Sequence, residues 1–439
     1  MYTSYIGRKF LQIYNEKENK NLSAEEFFNE IFFKLFFTDD GHLMHVGNSP
    51  FFQKPKTEDV NKFGGKSLAQ LNNLKNAIET DVPNMSIFVG SSAKDVGGTT
   101  SGQVSDIDVK IDSDEMYSSW IGEALGIGVN GGFVMLIDEA KVLWNLFKGW
   151  EYYRKYLSQT PNVKDKQIET WNGQWLHHCF QATFDENNPE AGLSIETTEI
   201  QGNVAIPTKQ WAIIIFALSK KFPNKTITAY AYNLSQTNTT LGFINIYLSE
   251  IKKMYELRDI IFINKDESIL SDKEIDQLST FYNFRAACLL GTIGLKALEP
   301  DKLREYMPKG SVLYAQGKDF KFNNQESFLH YQLYKIWITA MLNKTELLNL
   351  ASEMATALIE FEKGDERAKK VFSTISQSVR ETSNLRNFIE KISEVLSHSP
   401  ANKGMFKNVV EQVLIMPSDN FPLFITLIRF EYTYQKSKN

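Results

Sequence analysis

A chain of 439 residues is too long for one ordinary core and calls for two or three domains. With 42% hydrophobic and 23% charged residues the composition is globular and excludes a disordered chain. The net charge of −5 argues against a free-standing DNA-binding protein, which is ordinarily basic, but it leaves room for a local basic groove.

Aromatic residues reach 13%, with 31 Phe and 18 Tyr. They fill large cores and, where exposed, give bases a stacking surface. Cys179 and Cys288 lie far apart, which fits a reducing cytosol rather than a disulfide framework. The start, Met1-Tyr-Thr-Ser-Tyr-Ile-Gly-Arg-Lys9, has no apolar run of signal-peptide length, and the most apolar stretches, 31–37 and 211–218, are too short to span a bilayer. A cytoplasmic protein with no membrane partner is expected.

In chain order, Leu22-Ser-Ala-Glu-Glu-Phe27 predicts a helix start: Ser23 as N-cap, Glu26 closing a capping box and Leu22 stapling onto Phe27. The helix runs apolar nearly all round to Phe37 and stops at the turn Thr38-Asp-Asp-Gly41. A loop over 45–56 precedes a helix near 67–79. Ser86–Val89 and Ile107–Ile111 read as strands around a Gly/Thr/Ser-rich loop. Gly126–Gly132 reads as a flexible loop leading into the apolar run Phe133–Ile137. Helices over 139–157 and 209–220 alternate with strand-like segments near 193–200 and 226–233. From residue 270 onward apolar residues recur at helical spacing, as in Leu385, Phe388, Ile389, Ile392, Val395 and Leu396. The expected fold is a mixed α/β (α+β) region over 1–324, with a sub-boundary near 80–120, and a C-terminal antiparallel helical bundle over 325–439.

Catalytic chemistry has one foothold. Val89-Gly-Ser-Ser92 followed by Ser105-Asp-Ile-Asp-Val109 resembles the nucleotidyltransferase pattern of a Gly-Ser turn and an Asp-x-Asp strand. Asp106 and Asp108, two apart on a strand, share a face and can hold Mg²⁺ against a triphosphate. The gap between the two halves is overlong and glycine-rich where a helix belongs, and the third carboxylate would have to come from a later strand, with Glu196 no more than a loose candidate. Gly97–Gly102 lacks the Gly-Lys-Ser/Thr of a P-loop, and Gly126–Gly132 has the wrong spacing for a dinucleotide fingerprint. His177-His178-Cys179 is too small a ligand set for zinc. No catalytic residue, metal or cofactor is therefore assigned, and the Mg²⁺-dependent nucleotidyltransferase stands as the alternative reading. An interaction scaffold whose bundle binds only protein is a third.

Six strings in order carry a family likeness: Asn48-Ser-Pro-Phe-Phe-Gln53; Thr99-Thr-Ser-Gly-Gln-Val104; Leu125-Gly-Ile-Gly-Val-Asn-Gly-Gly132; Thr170-Trp-Asn-Gly-Gln-Trp175; Gln236-Thr-Asn-Thr-Thr-Leu-Gly-Phe243; and Leu427-Ile-Arg-Phe-Glu-Tyr432. Together the chain resembles the large subunit of a type I CRISPR surveillance complex (Cascade), of the kind whose relatives carry a Cys-x-x-Cys zinc element. The cysteines are missing here: Phe88-Val-Gly-Ser-Ser-Ala-Lys-Asp95 stands where the element would be. The resemblance implies a non-catalytic subunit that reads the motif beside the target in duplex DNA, helps separate the strands and recruits a helicase–nuclease. Its partners would be CRISPR RNA, target DNA and the other Cascade subunits.

Four polar segments are the candidate nucleic-acid contacts. The first is Asn48, Gln53, Lys54 and Lys56, beside Phe51 and Phe52. The second is Gly98, Thr99, Thr100, Ser101 and Gln103. Asn172 and Gln174, between Trp171 and Trp175, form the third. Gln236, Thr237 and Asn238 form the fourth. Each has a plainer reading, with Phe51, Phe52 and the two tryptophans anchoring their segments in the core.

Overall fold

The computed structural model describes residues 1–90, 111–234, 240–262, 284–364, 368–399 and 401–438. The chain is mixed, with a small sheet in its N-terminal half and helices through its C-terminal part. It divides into two compact units, Met1–Ser249 with Phe284–Ile293, and Glu250–Asn283 with Gly294–Asn439. No helix among the described residues is long and apolar enough to cross a membrane.

In the first unit, α1 (Tyr2–Glu18) lies against α6 (Ser113–Glu123). Two glycines let their backbones meet. A Cβ on Gly7 would fall 1.8 Å from the Ser118 carbonyl oxygen, and one on Gly122 would fall 1.9 Å from that of Thr3. The capping box forms as the sequence predicts: Ser23 Oγ accepts from the Glu26 amide and the Glu26 carboxylate accepts from the Ser23 amide. The helix it starts runs as α2 (Ala24–Phe27), a π-helical stretch (Phe28–Phe32) and α3 (Phe33–Phe36). Its phenylalanines join Phe10, Trp120 and Trp150 in one aromatic core, with Phe32 stacked on Phe36 at 4.2 Å and Phe36 edge-on to Trp150 at 4.9 Å.

Beyond the loop come α4 (Thr57–Phe63) and α5 (Lys66–Thr80). Ser86–Val89, expected as a strand, is instead turn backbone: Phe88 N–H bonds back to Asn84 O, and Val89 N–H to Ser119 Oγ. Ile87, Phe88 and Val89 are buried all the same, so burial of apolar side chains produced the strand-like pattern without a ladder. The partner segment over 107–110 lies outside the described residues.

The expected flexible loop at 126–132 is also corrected. Its first half is β1 (Ile127–Val129), which pairs antiparallel with β2 (Phe133–Ile137) around a turn where Gly131 and Gly132 take positive φ. The sheet continues β1-β2-β5-β6-β7, with β5 (Thr226–Asn233), β6 (Thr240–Tyr247) and β7 (Thr292–Ile293). All its pairs are antiparallel except β6–β7. Two helices pack on one another beside it, α7 (Ala140–Gln159) and α8 (Ile168–Cys179). The strand-like stretch 193–200 contributes only β3 (Thr198–Ile200), paired with β4 (Asn203–Ala205), and α9 (Trp211–Lys221) follows.

The second unit carries Gln325–Leu342, Glu346–Lys363, Lys369–Arg380, Leu385–His398, Lys403–Leu414 and Phe421–Lys438, the helical bundle expected from periodicity. Two buried polar pairs stand inside it. Lys335 meets Glu431 at 2.6 Å, both nearly fully buried, and Tyr432 donates to Glu362 at 2.6 Å. Residues 294–324, placed by the sequence reading ahead of the boundary at 325, belong to this same unit. They supply acceptors for its buried donors: Leu295 O for Trp337 Nε1, Asp301 O for Tyr334 Oη, and Tyr306 O and Gly317 O for Arg429.

Candidate nucleic-acid interface

The loop at 45–56 is held from below and open above. Its 3₁₀ turn, Pro50–Phe52, drives Phe51 inward, where it stacks on Phe37 at 4.0 Å with rings nearly parallel and meets Trp120 edge-on. The buried Gln70 amide of α5 donates to both Phe51 O (2.9 Å) and Gln53 O (2.8 Å), so the loop backbone is satisfied from inside. Asn48 adopts φ +61°, a conformation asparagine tolerates, and its carbonyl accepts from Gln53 Nε2 at 2.7 Å. Phe51 is thus an anchor, while Phe52 is only half-buried.

Phe52 faces a groove of about 720 Å³, within the size range of ligand clefts. His42, Gln53, Lys54, Lys66, Gln70 and Lys166 line it with Phe52, and Asp40 is the one acidic side chain among its walls. The His45 ring lies 4.5 Å from Phe52, and Lys166 Nζ sits 5.4 Å above the same ring. Lys166 is brought in by its own backbone, which takes φ +62° and donates to His42 O. Its ammonium pairs with Asp165 at 3.0 Å. Lys54, Lys56 and Lys66 have no ion-pair partner among the described residues.

His42 is 9% exposed, and its Nδ1 has no hydrogen-bond partner. Burial lowers its pKa from the ordinary histidine range, Lys166 and Lys66 push the same way, and Asp165 and a hydrogen bond with the Phe36 backbone oppose them. Burial and Lys166 likewise lower that of His45. Both rings are therefore neutral at pH 7, with nitrogens that donate or accept according to tautomer. The groove offers cations, a flat ring and hydrogen-bonding groups. It holds no nucleophile with an adjacent base and no pair of carboxylates, and no metal-holding cluster occurs among the described residues.

The four segments expected to touch nucleic acid have different fates. Asn48, Gln53, Lys54 and Lys56 lie at the surface, with Gln53 and Lys54 in the groove wall. Asn172 and Gln174 are corrected: they sit in α8 with their side chains in the interior. Asn172 Nδ2 donates to Ala124 O and Gly126 O, tying α8 to the end of α6 and the start of β1. Gln174 accepts from the buried Lys209 ammonium. Trp171 and Trp175 do anchor the segment, donating to Gly149 O and Asn145 O of α7. Gly98, Thr99, Thr100, Ser101, Gln103, Gln236, Thr237 and Asn238 lie outside the described residues, as do Asp106 and Asp108.

The other chemistry-bearing residues are engaged. Glu196, the third carboxylate suggested for the nucleotidyltransferase pattern, pairs with Lys209 at 2.5 Å. His178 Nε2 meets Pro189 O at 2.9 Å, burial lowers the pKa of His177 to about 4, and burial raises that of Cys179 to about 12.

His42, Lys66 and Lys166 were not among the expected contacts. One sequence signal marks Lys66: Gly65-Lys66-Ser67 at the head of a helix, the half of a phosphate loop that supplies a lysine and a hydroxyl. It follows a helix instead of a strand, which hides it from a pattern search. Comparison with protein-family models, with curated proteins and with solved structures returns no match to this chain.

Proposed function

We propose that this chain is a non-catalytic, nucleic-acid-facing subunit of a larger assembly: the large subunit of a type I CRISPR surveillance complex (Cascade) working in the cytosol. The observation that carries the nucleic-acid reading is the groove, where Lys54, Lys66 and Lys166 gather around a half-exposed Phe52 on a chain whose net charge is −5. A cationic groove with an aromatic floor suits a phosphate backbone and a base. The six family-like strings supply the finer reading, with guide RNA selecting the target and this subunit reading the adjacent motif and calling in the helicase–nuclease. Glu196 is spoken for by Lys209, which takes support from the nucleotidyltransferase alternative.

Two measurements test this. The free chain binds duplex DNA weakly, since non-specific affinity follows the number of phosphates neutralised. Assembled with guide RNA and backbone subunits, it contributes tight binding that depends on the motif beside the target. Equal affinity of the free and assembled protein for target duplex, by gel shift, would sink the subunit reading. Separately, the chain transfers no labelled nucleotide from any NTP with Mg²⁺ or Mn²⁺. Incorporation that vanishes in Asp106→Ala would promote the enzyme alternative.

A further inference from the structure

The groove is more specific than a basic surface. The amides of Lys66, Ser67 and Leu68 open a 15-residue helix with no side-chain cap and no backbone partner among the described residues, and such a helix end attracts an anion. Lys66 itself, at the first helical position, lines the groove with Lys54. Across it, His42 and Lys166 form the facing wall. The half-buried face of Phe52 completes the set.

We propose that this groove holds one unpaired nucleotide of a single-stranded nucleic acid, with a phosphate at the head of α5 beside Lys66 and Lys54 and the base against Phe52. A base locked in a duplex presents its face to its stacked neighbours and cannot lie on Phe52, so the site selects single strands over duplex. The inference rests on the nucleic-acid reading above but not on the identity of the assembly.

The test uses the full-length free chain and fluorescein-labelled eight-nucleotide single strands of DNA and of RNA, followed by anisotropy. The same sequence as duplex and inorganic phosphate alone serve as competitors. Single strands are expected to bind more tightly than duplex, and phosphate to compete only weakly. Lys66→Gln and Phe52→Ala each weaken single-strand binding about tenfold, the scale of one lost phosphate contact or one lost stack. Lys66→Arg restores most of it, and Lys407→Gln, on an exposed helix face in the other unit, changes nothing. Lys66 is exposed, so its variant folds even where Phe52→Ala disturbs the loop; circular dichroism checks both. Undiminished binding by Lys66→Gln overturns the site while leaving the nucleic-acid reading intact. A free chain that binds no single strand overturns the site as well, and motif-dependent duplex binding in the assembly then decides the wider reading by itself. Phosphate competing as well as the oligonucleotide would reduce the groove to an anion site and overturn the nucleotide assignment.

Discussion

Glu123→Gln is expected to stabilise the chain at pH 8 by on the order of 2–4 kcal/mol, and to leave it within about 1 kcal/mol of the parent at pH 5. Glu123 is 3% exposed at the end of α6, and Tyr232 Oη donates to its carboxylate at 2.7 Å. Burial, with the Glu169 carboxylate adding to it and the Tyr232 bond opposing, raises its pKa from 4.5 to about 8. Between those values the folded chain keeps a proton that the unfolded chain has released. Stability contributed at this site is therefore full below about pH 4.5, falls as pH rises to about 8, and changes little above it. Glutamine keeps an oxygen for Tyr232 and has no proton to lose, so the variant lacks this decline. Urea unfolding at pH 5, 6.5 and 8 measures it. Parent and variant curves that run parallel across the three values would show that Glu123 ionises freely in the fold.

The second large effect lies where α1 and α6 touch. Gly7→Ala or Gly122→Ala sets a methyl group within 2 Å of a carbonyl oxygen on the opposite helix. A flexible side chain would swing away, but backbone oxygen moves only with its helix, and α6 carries Trp120 of the aromatic core. A loss of about 3 kcal/mol or more is expected, the upper end of overpacking costs. Gly404→Ala provides the contrast: this glycine is exposed on a helix with open space around its Cα, so alanine is neutral or stabilising by up to ~1 kcal/mol through helix propensity. Thermal or urea melts of the three variants check the pair. Equal, small effects at all three positions would mean that α1 and α6 do not approach as closely as their glycines allow.

What the sequence by itself determined is local. Ser23 and Glu26 start a helix because a hydroxyl and a carboxylate three residues apart satisfy each other's backbone amides wherever they occur. The alternation of Thr226–Asn233 marks β5, and the 3.6-residue spacing beyond 325 marks the C-terminal helices, because each pattern states which side chains must be buried together. Tertiary structure decided the rest. Ser86–Val89 reads as a strand but finds no ladder, since β-branched and aromatic residues report burial as much as pairing. Asn172 and Gln174 read as polar contacts but turn inward, because α8 lies against carbonyls and a lysine that need partners. Gly7 and Gly404 look alike in the sequence; only the passage of a second helix makes one irreplaceable. The groove is the largest such case. Lys54 was legible in a polar loop, but His42, Lys66 and Lys166 come from a turn, a helix start and a loop about a hundred residues on. No spacing rule joins them, because what brings them together is the packing of Phe51 on Phe37 and the bond from Lys166 to His42.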